Sequence, residues 1–355
     1  MKNKLKNSIA LAIIPQIILI KVLANYPNLV EEYYSNGIYT SISSIFRSLY
    51  GWIPFSVGDI IYGSLIIISI RYLIVKRKEI VKKPLVFIRN TIMVLSIAYF
   101  TFNILWGLNY HREPITKPLQ ITANVDEKAL ISFTKKLIAK TNAIHYSITT
   151  DSTQAVKTPY TDDEIFKKTI EGYAQLEEKF PFLSYKKTSL KASLFSTILS
   201  YMGYGGYLNP FTNEAQVNIK PPKFRAPMVS GHEIGHQLGY SSESETNLIG
   251  YLVTQNNDDL YFKYGAYANM LRYFFGRIKL TDEAQFKELY NTLNPGIKKN
   301  YEELNLFWES YQNPAEVVFK NIFSTFLKAN NQKDGIQSYS KVVYLIVGYH
   351  EKYPL

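Results

Sequence analysis

Three long apolar runs open the chain, and helical periodicity fills most of the rest. Residues 8–24, 55–75 and 87–107 are dominated by Ile, Leu, Val and aromatic side chains, and the first run carries a single charge, Lys21. At roughly 17 to 21 residues apiece, each is long enough to cross a hydrocarbon core of about 30 Å. The first run lacks a small-residue cleavage site and two comparable runs follow it. The pattern therefore predicts three membrane-spanning helices rather than a signal peptide, and residues 1–108 are expected to form a membrane anchor.

From residue 109 to 355 the apolar positions recur at helical spacing, over a length that suits one domain with its own core. Asp126 opens one helix, and Thr161-Asp162-Asp163-Glu164 opens another with a capping box. Later starts are expected at Thr281-Asp282-Glu283, at Pro314 and at Ser338-Tyr339-Ser340. Residues 146–161 are polar and read as a loop. The segment from Tyr201 to Thr212 differs, being rich in glycine and tyrosine, and Asn213 to Ile219 alternates like a short strand. The expected fold class is mainly α: three N-terminal transmembrane helices, then a largely helical α+β domain with a small sheet.

Charge sets the orientation. Lys2, Lys4 and Lys6 precede the first run, and Lys76, Arg77, Lys78, Lys82, Lys83 and Arg89 crowd the junction between the second and third, whereas residues 26–54 hold only Arg47 against Glu31 and Glu32. The positive-inside rule puts the N-terminus and that junction in the cytoplasm of a multi-pass protein of the inner membrane, with the C-terminal domain extracytoplasmic. These nine residues account for much of the net charge of +11, and no basic helix with interleaved aromatics or phosphate-binding glycine loop appears, so no nucleic-acid partner is expected. The absence of cysteine fits folding outside the cytosol without disulfides.

The candidate chemistry lies at His232-Glu233-Ile234-Gly235-His236. Four-residue spacing on a helix brings both imidazoles to one face about a turn apart, where each offers a ring nitrogen to one tetrahedral zinc ion. Glu233 then stands beside the ion without binding it, placed to take a proton from an attacking water and hand it to a leaving group. Pro227 suits the first turn of such a helix, and Gly239 suits a left-handed stop just past it. A match by chance is expected in about a few such chains per thousand.

A third ligand should come from Ser242-Glu243-Ser244-Glu245-Thr246-Asn247. Ser242 and Glu245 have capping-box spacing, which gives Glu245 a structural role. Glu243 and Asn247 share a helical face, which suits a ligand and a residue that orients a histidine. Glu243 is the expected ligand, with Glu245 the alternative. The strand before the helix either pairs with an extended substrate, with Tyr207, Glu214 and Asn218 as candidate substrate or oxyanion contacts, or belongs to an ordinary hairpin with buried tyrosines. Tyr201, Tyr204 and the distant His350 are oxyanion candidates by residue type alone. His111 and His145, with no motif around them, read as solvent-facing or structural residues.

Several segments together resemble a known family: the three runs, Trp106-Gly107-Leu108-Asn109-Tyr110-His111-Arg112-Glu113-Pro114, the stretch from Pro210 to Asn218, and His232 to His236 followed by Glu243-x-Glu245-x-Asn247. In that order they resemble the bacterial membrane family catalogued as domain of unknown function 3810. The resemblance implies a zincin-like, gluzincin-type domain at residues 109–355 with one zinc per chain. Glu243-x-x-Thr246-Asn247 has the form of the gluzincin glutamate motif but comes earlier than usual. The resulting expectation is a zinc metallopeptidase anchored in the lipid bilayer and acting on extracytoplasmic polypeptide. A zinc amidase or other hydrolase of cell-envelope material is the alternative enzyme, and an anchored metal-binding scaffold the non-enzymatic one. Oligomeric state is not legible from these features.

Overall fold

The computed structural model of the chain describes residues 2–333, 335 and 341–355. It is mainly helical, and its packing separates two units: Met1–Glu113 with Asn209–Glu214, and Pro114–Leu208 with Ala215–Leu355.

In the first unit, Asn3–Leu23, Val57–Lys82 and Pro84–Leu105 are helices long and apolar enough to cross a membrane. Their side chains face outward, Ile66, Ile67 and Ile68 being 57%, 69% and 62% exposed. In water that surface would be costly; hydrocarbon removes the cost. The second helix runs past its apolar stretch to Lys82, because Lys76-Arg77-Lys78-Glu79 continues the turn with a Lys76–Glu79 pair at 2.8 Å. Pro84 occupies the first turn of the next helix, as its fixed φ allows.

Between the first two of these helices lies an amphipathic helix, Tyr39–Tyr50, which buries Tyr39, Ser43 and Arg47. Two polar contacts of this helix lie inside the unit. Ser43 donates to Asn213 Oδ1 at 2.8 Å, and Asn213 Nδ2 donates to the Tyr39 hydroxyl at 3.0 Å. Arg112 grips Glu31 through two bonds of 2.7 and 2.8 Å, and Ser35 donates to Asn109 Oδ1. The segment Trp106 to Pro114 is thus a structural clasp, with His111 buried in it.

The second unit wraps its helices around Glu243–Gln255, whose residues from Leu248 to Val253 are fully buried. A helix apolar on all sides belongs inside such a core. Ala226–Gln237, Leu260–Thr281, Asp162–Lys179 and Val342–Lys352 pack against it. The capping box at Thr161 and Glu164 forms as expected, Asp126 caps Glu127–Thr149, and Asp282 caps Glu283–Asn291. The helix expected from 126 continues to Thr149, so the polar loop begins only at residue 150, where Thr150 takes a left-handed conformation. Asn313 caps Pro314–Ala329. The last helix is Val342–Lys352; the start expected at Ser338-Tyr339-Ser340 lies outside the described residues.

The sheet has three short strands, β1 (Leu190–Ala192), β2 (Gly206–Asn209) and β3 (Glu214–Val217), in the order β1-β3-β2. β1 and β3 are parallel, with Lys191 opposite Gln216. β3 is the central strand and is buried throughout, which leaves β2 on an edge.

Candidate metal centre

The helix Ala226–Gln237 is built for close approach. Pro227 sits in its first turn, and Gly231 and Gly235 leave its inner face without side chains. The following helix, Glu243–Gln255, answers with Gly250. A Cβ added there would lie 2.6 Å from the Met228 carbonyl oxygen and 3.0 Å from His232 N, so only glycine lets the two backbones meet this closely. Gly239 turns the chain between them at φ 85°, the left-handed stop expected from its position.

That turn also sets a histidine. It aims the Tyr240 carbonyl back at His236, whose Nδ1 donates to it at 2.8 Å. His232 Nδ1 lies 3.0 Å from Asn247 Oδ1. With both Nδ1 protons committed, both Nε2 atoms present lone pairs to the same point, and the rings stand nearly perpendicular, their centroids 4.7 Å apart. Glu243 supplies the third atom. Its Oε2 is 3.3 Å from His232 Nε2 and 3.6 Å from His236 Nε2. Ligand atoms of one tetrahedral zinc, with bonds of about 2.0–2.1 Å, sit about 3.3 Å apart, so the donor set and its spacing fit that ion. Three acceptors this close need a cation among them. Burial disfavours the charge on His236, but the Glu243 carboxylate overrides it and raises the pKa of the ring. Burial likewise opposes ionisation of Glu243, yet His236 and the contacts with both rings hold the carboxyl well below its usual range.

Glu233 stands beside this trio, with its ligand atom within 4.8 Å of those of the two histidines. Burial pushes its carboxyl up to about 7, against the lowering pull of the histidines. Its Oε2 is buried with no hydrogen-bond partner. The backbone of β2 passes against it: a Cβ at Gly206 would lie 2.6 Å from Glu233 Oε1. A carboxylate held this way, with one oxygen buried and without a hydrogen-bond partner, suits a proton acceptor.

The other residues singled out from the sequence divide clearly. Glu245 is turned away: it accepts from Ile115 N at 2.9 Å, and the Ser242 side chain makes no cap bond, so the capping box expected there is not formed. The amide of Ile115 offers Glu245 a partner from outside the helix that no local pattern could announce. Glu214 lies inside the first unit, where it accepts from Val57 N and Gly58 N at 3.1 and 2.6 Å and so caps the second apolar helix. Asn218 donates to Ser200 Oγ and to the Tyr204 carbonyl. Since β3 is flanked on both sides, neither residue stands on a free edge, and the strand beside Glu233 is β2, which carries Tyr207. Tyr201 packs against Tyr311, and His350 is bonded to Tyr251 and the Tyr353 carbonyl. His145 bonds the Gln154 carbonyl and Asn294, a structural place as expected.

Next to the centre opens a cavity of about 430 Å³, with His232, Glu233 and Asn247 in its wall. Tyr204 and Tyr273 also line it, and burial raises the pKa of both phenols. Arg225 and Arg272 are also in its wall. Tyr273, Arg225 and Arg272 escaped the sequence reading because they sit in no motif. The family model for "Protein of unknown function (DUF3810)" matches residues 34–347. No curated protein and no solved structure matches the chain.

Proposed function

The chain belongs to the DUF3810 family of proteins of unknown function, and for it we propose a membrane-anchored zinc metallopeptidase with a zincin-type centre, acting on extracytoplasmic polypeptide. The observation that carries the reading is the convergence of His232 Nε2, His236 Nε2 and Glu243 Oε2, with Glu233 beside them on an open cavity. A metal site kept only for structure is usually closed by a fourth protein ligand, whereas three ligands with a cavity beside them, walled by His232 and Glu233, leave a position for water and substrate.

His232, His236 and Glu243 would hold the zinc, one per chain, and Asn247 and the Tyr240 carbonyl orient the two rings. Zinc bound there would polarise a substrate carbonyl and make a water in the cavity more acidic. Glu233 takes the proton from the attacking water and delivers it to the departing amine, and its raised pKa suits both halves of that task. Tyr204 and Tyr273 are the hydroxyl groups in the cavity wall that could donate to the oxygen on which charge develops. β2, as the edge strand against Glu233, is the strand of the sheet placed to align an extended peptide.

The test uses the full chain in detergent, with metal analysis and a library of internally quenched peptides. Wild type should carry about one zinc and cleave some members. Glu233→Gln should keep the zinc and lose about 10²–10⁴-fold in rate. Absence of zinc from the wild type, or equal cleavage by the two proteins, would overturn the proposal.

A further inference from the structure

The cavity holds two positive groups that the metal chemistry leaves without a role. Arg225 lies in the turn just before the histidine helix, and Arg272 on the helix Leu260–Thr281. Burial pushes the Arg225 guanidinium down to about 10, with the charge of Arg272 acting in the same direction, so the two groups in the cavity wall repel each other. Among the described residues neither side chain forms an ion pair, and Arg225 Nε is buried without a hydrogen-bond partner. Arg225 lies over the Trp308 ring, 5.6 Å from its centroid, a contact that restrains the plane of the guanidinium. Lys320, also in the wall, is already paired with Glu316.

Two half-buried like charges with no ion-pair partner among the described residues are costly to keep, and a bound anion removes that cost. A guanidinium is a planar fork of donors that matches a carboxylate through two parallel bonds. The cavity is within the size range of a small-molecule or short-peptide site. We infer that Arg225 and Arg272 form a carboxylate-binding subsite, so that the preferred substrate is a peptide with a carboxylate close to the bond that is cut. The carboxylate is a free C-terminus or the side chain of an Asp or Glu. This deepens the peptidase reading and rests on it for the word substrate; the binding itself needs no turnover.

Calorimetric titration of the zinc-loaded full-length Glu233→Gln protein in detergent separates the possibilities. The probes are an N-acetylated neutral tripeptide with a free C-terminus, its C-terminal amide, and an amide in which one residue is aspartate. The free acid, or the aspartyl amide, should bind about 10- to 100-fold more tightly than the neutral amide, as a charge-assisted bond to a buried partner implies. Whichever of the two gains affinity locates the carboxylate. Adding Arg272→Gln or Arg225→Gln should abolish the preference, and Arg272→Lys should restore only part of it. Equal binding of all three probes, a comparison that needs no arginine variant to fold, would overturn the subsite. So would a preference that survives both glutamine variants, since the zinc would then be holding the carboxylate. Hydrolysis by wild type sorts the two proposals: equal cleavage of acid and amides removes the subsite and keeps the peptidase, whereas acid-selective binding with no cleavage of any probe does the reverse.

Discussion

Glu243 and Glu245 are two positions apart on one helix, and their surroundings give them opposite tasks. Glu243 faces both imidazoles, while Glu245 accepts from the Ile115 amide. Glu243→Gln should weaken zinc binding by at least about 100-fold, since it removes a charged ligand. Glu245→Gln should keep zinc, because a glutamine oxygen can still accept from Ile115, at a stability cost of about 1 kcal/mol or less. Asn247→Ala should fall between, about 10- to 100-fold weaker. Zinc titrations of the three variants check this, and zinc loss confined to Glu245→Gln would move the ligand role. The same trio sets a pH dependence. The pKa of His236 is raised, so a proton competes for its Nε2 at pH values where an ordinary histidine is already neutral. Zinc affinity should therefore fall as pH falls through that raised value, and an affinity equal at pH 6 and pH 8 would contradict it.

At the scale of elements, the centre depends on how closely two helices approach. Gly250 of Glu243–Gln255 rests on the backbone from Met228 to His232, and a methyl group there has only main chain to meet. Gly250→Ala should cost about 1–3 kcal/mol and weaken zinc binding, because separating the helices withdraws Glu243 from the histidines. Gly276 provides the contrast. It is exposed on the helix Leu260–Thr281 and a Cβ there meets nothing within 4 Å. Gly276→Ala should stabilise the protein by about 0.5–1 kcal/mol and leave zinc unchanged. Thermal unfolding and zinc titration of the pair test the argument; equal effects of the two substitutions would refute it.

For the whole molecule, the three apolar helices and the placement of the basic residues determine on which side of a membrane the chemistry would take place. A reporter active only outside the cytoplasm should work when fused after Leu355 and fail when fused after Lys82. The reverse pattern would place the metal centre in the cytosol and remove extracytoplasmic polypeptide as substrate.

The spans and the histidine pair were legible in the sequence because each rests on local periodicity: a run of apolar residues as long as a bilayer is thick, and two side chains four apart on one helical face. Pro227, Gly239, and Asn247 beside His232, follow from the same local rules. The roles of Glu214, Asn218 and Glu245 did not, because each is decided by a partner distant in the chain: the amides of Val57 and Gly58, the hydroxyl of Ser200, and the amide of Ile115. The Trp106 to Pro114 segment stands out in sequence but is a clasp built around Glu31 and Ser35. The cavity is likewise tertiary. Arg225, Arg272 and Tyr273 come from two elements, and the desolvation and mutual repulsion that single them out exist only once the helices have packed.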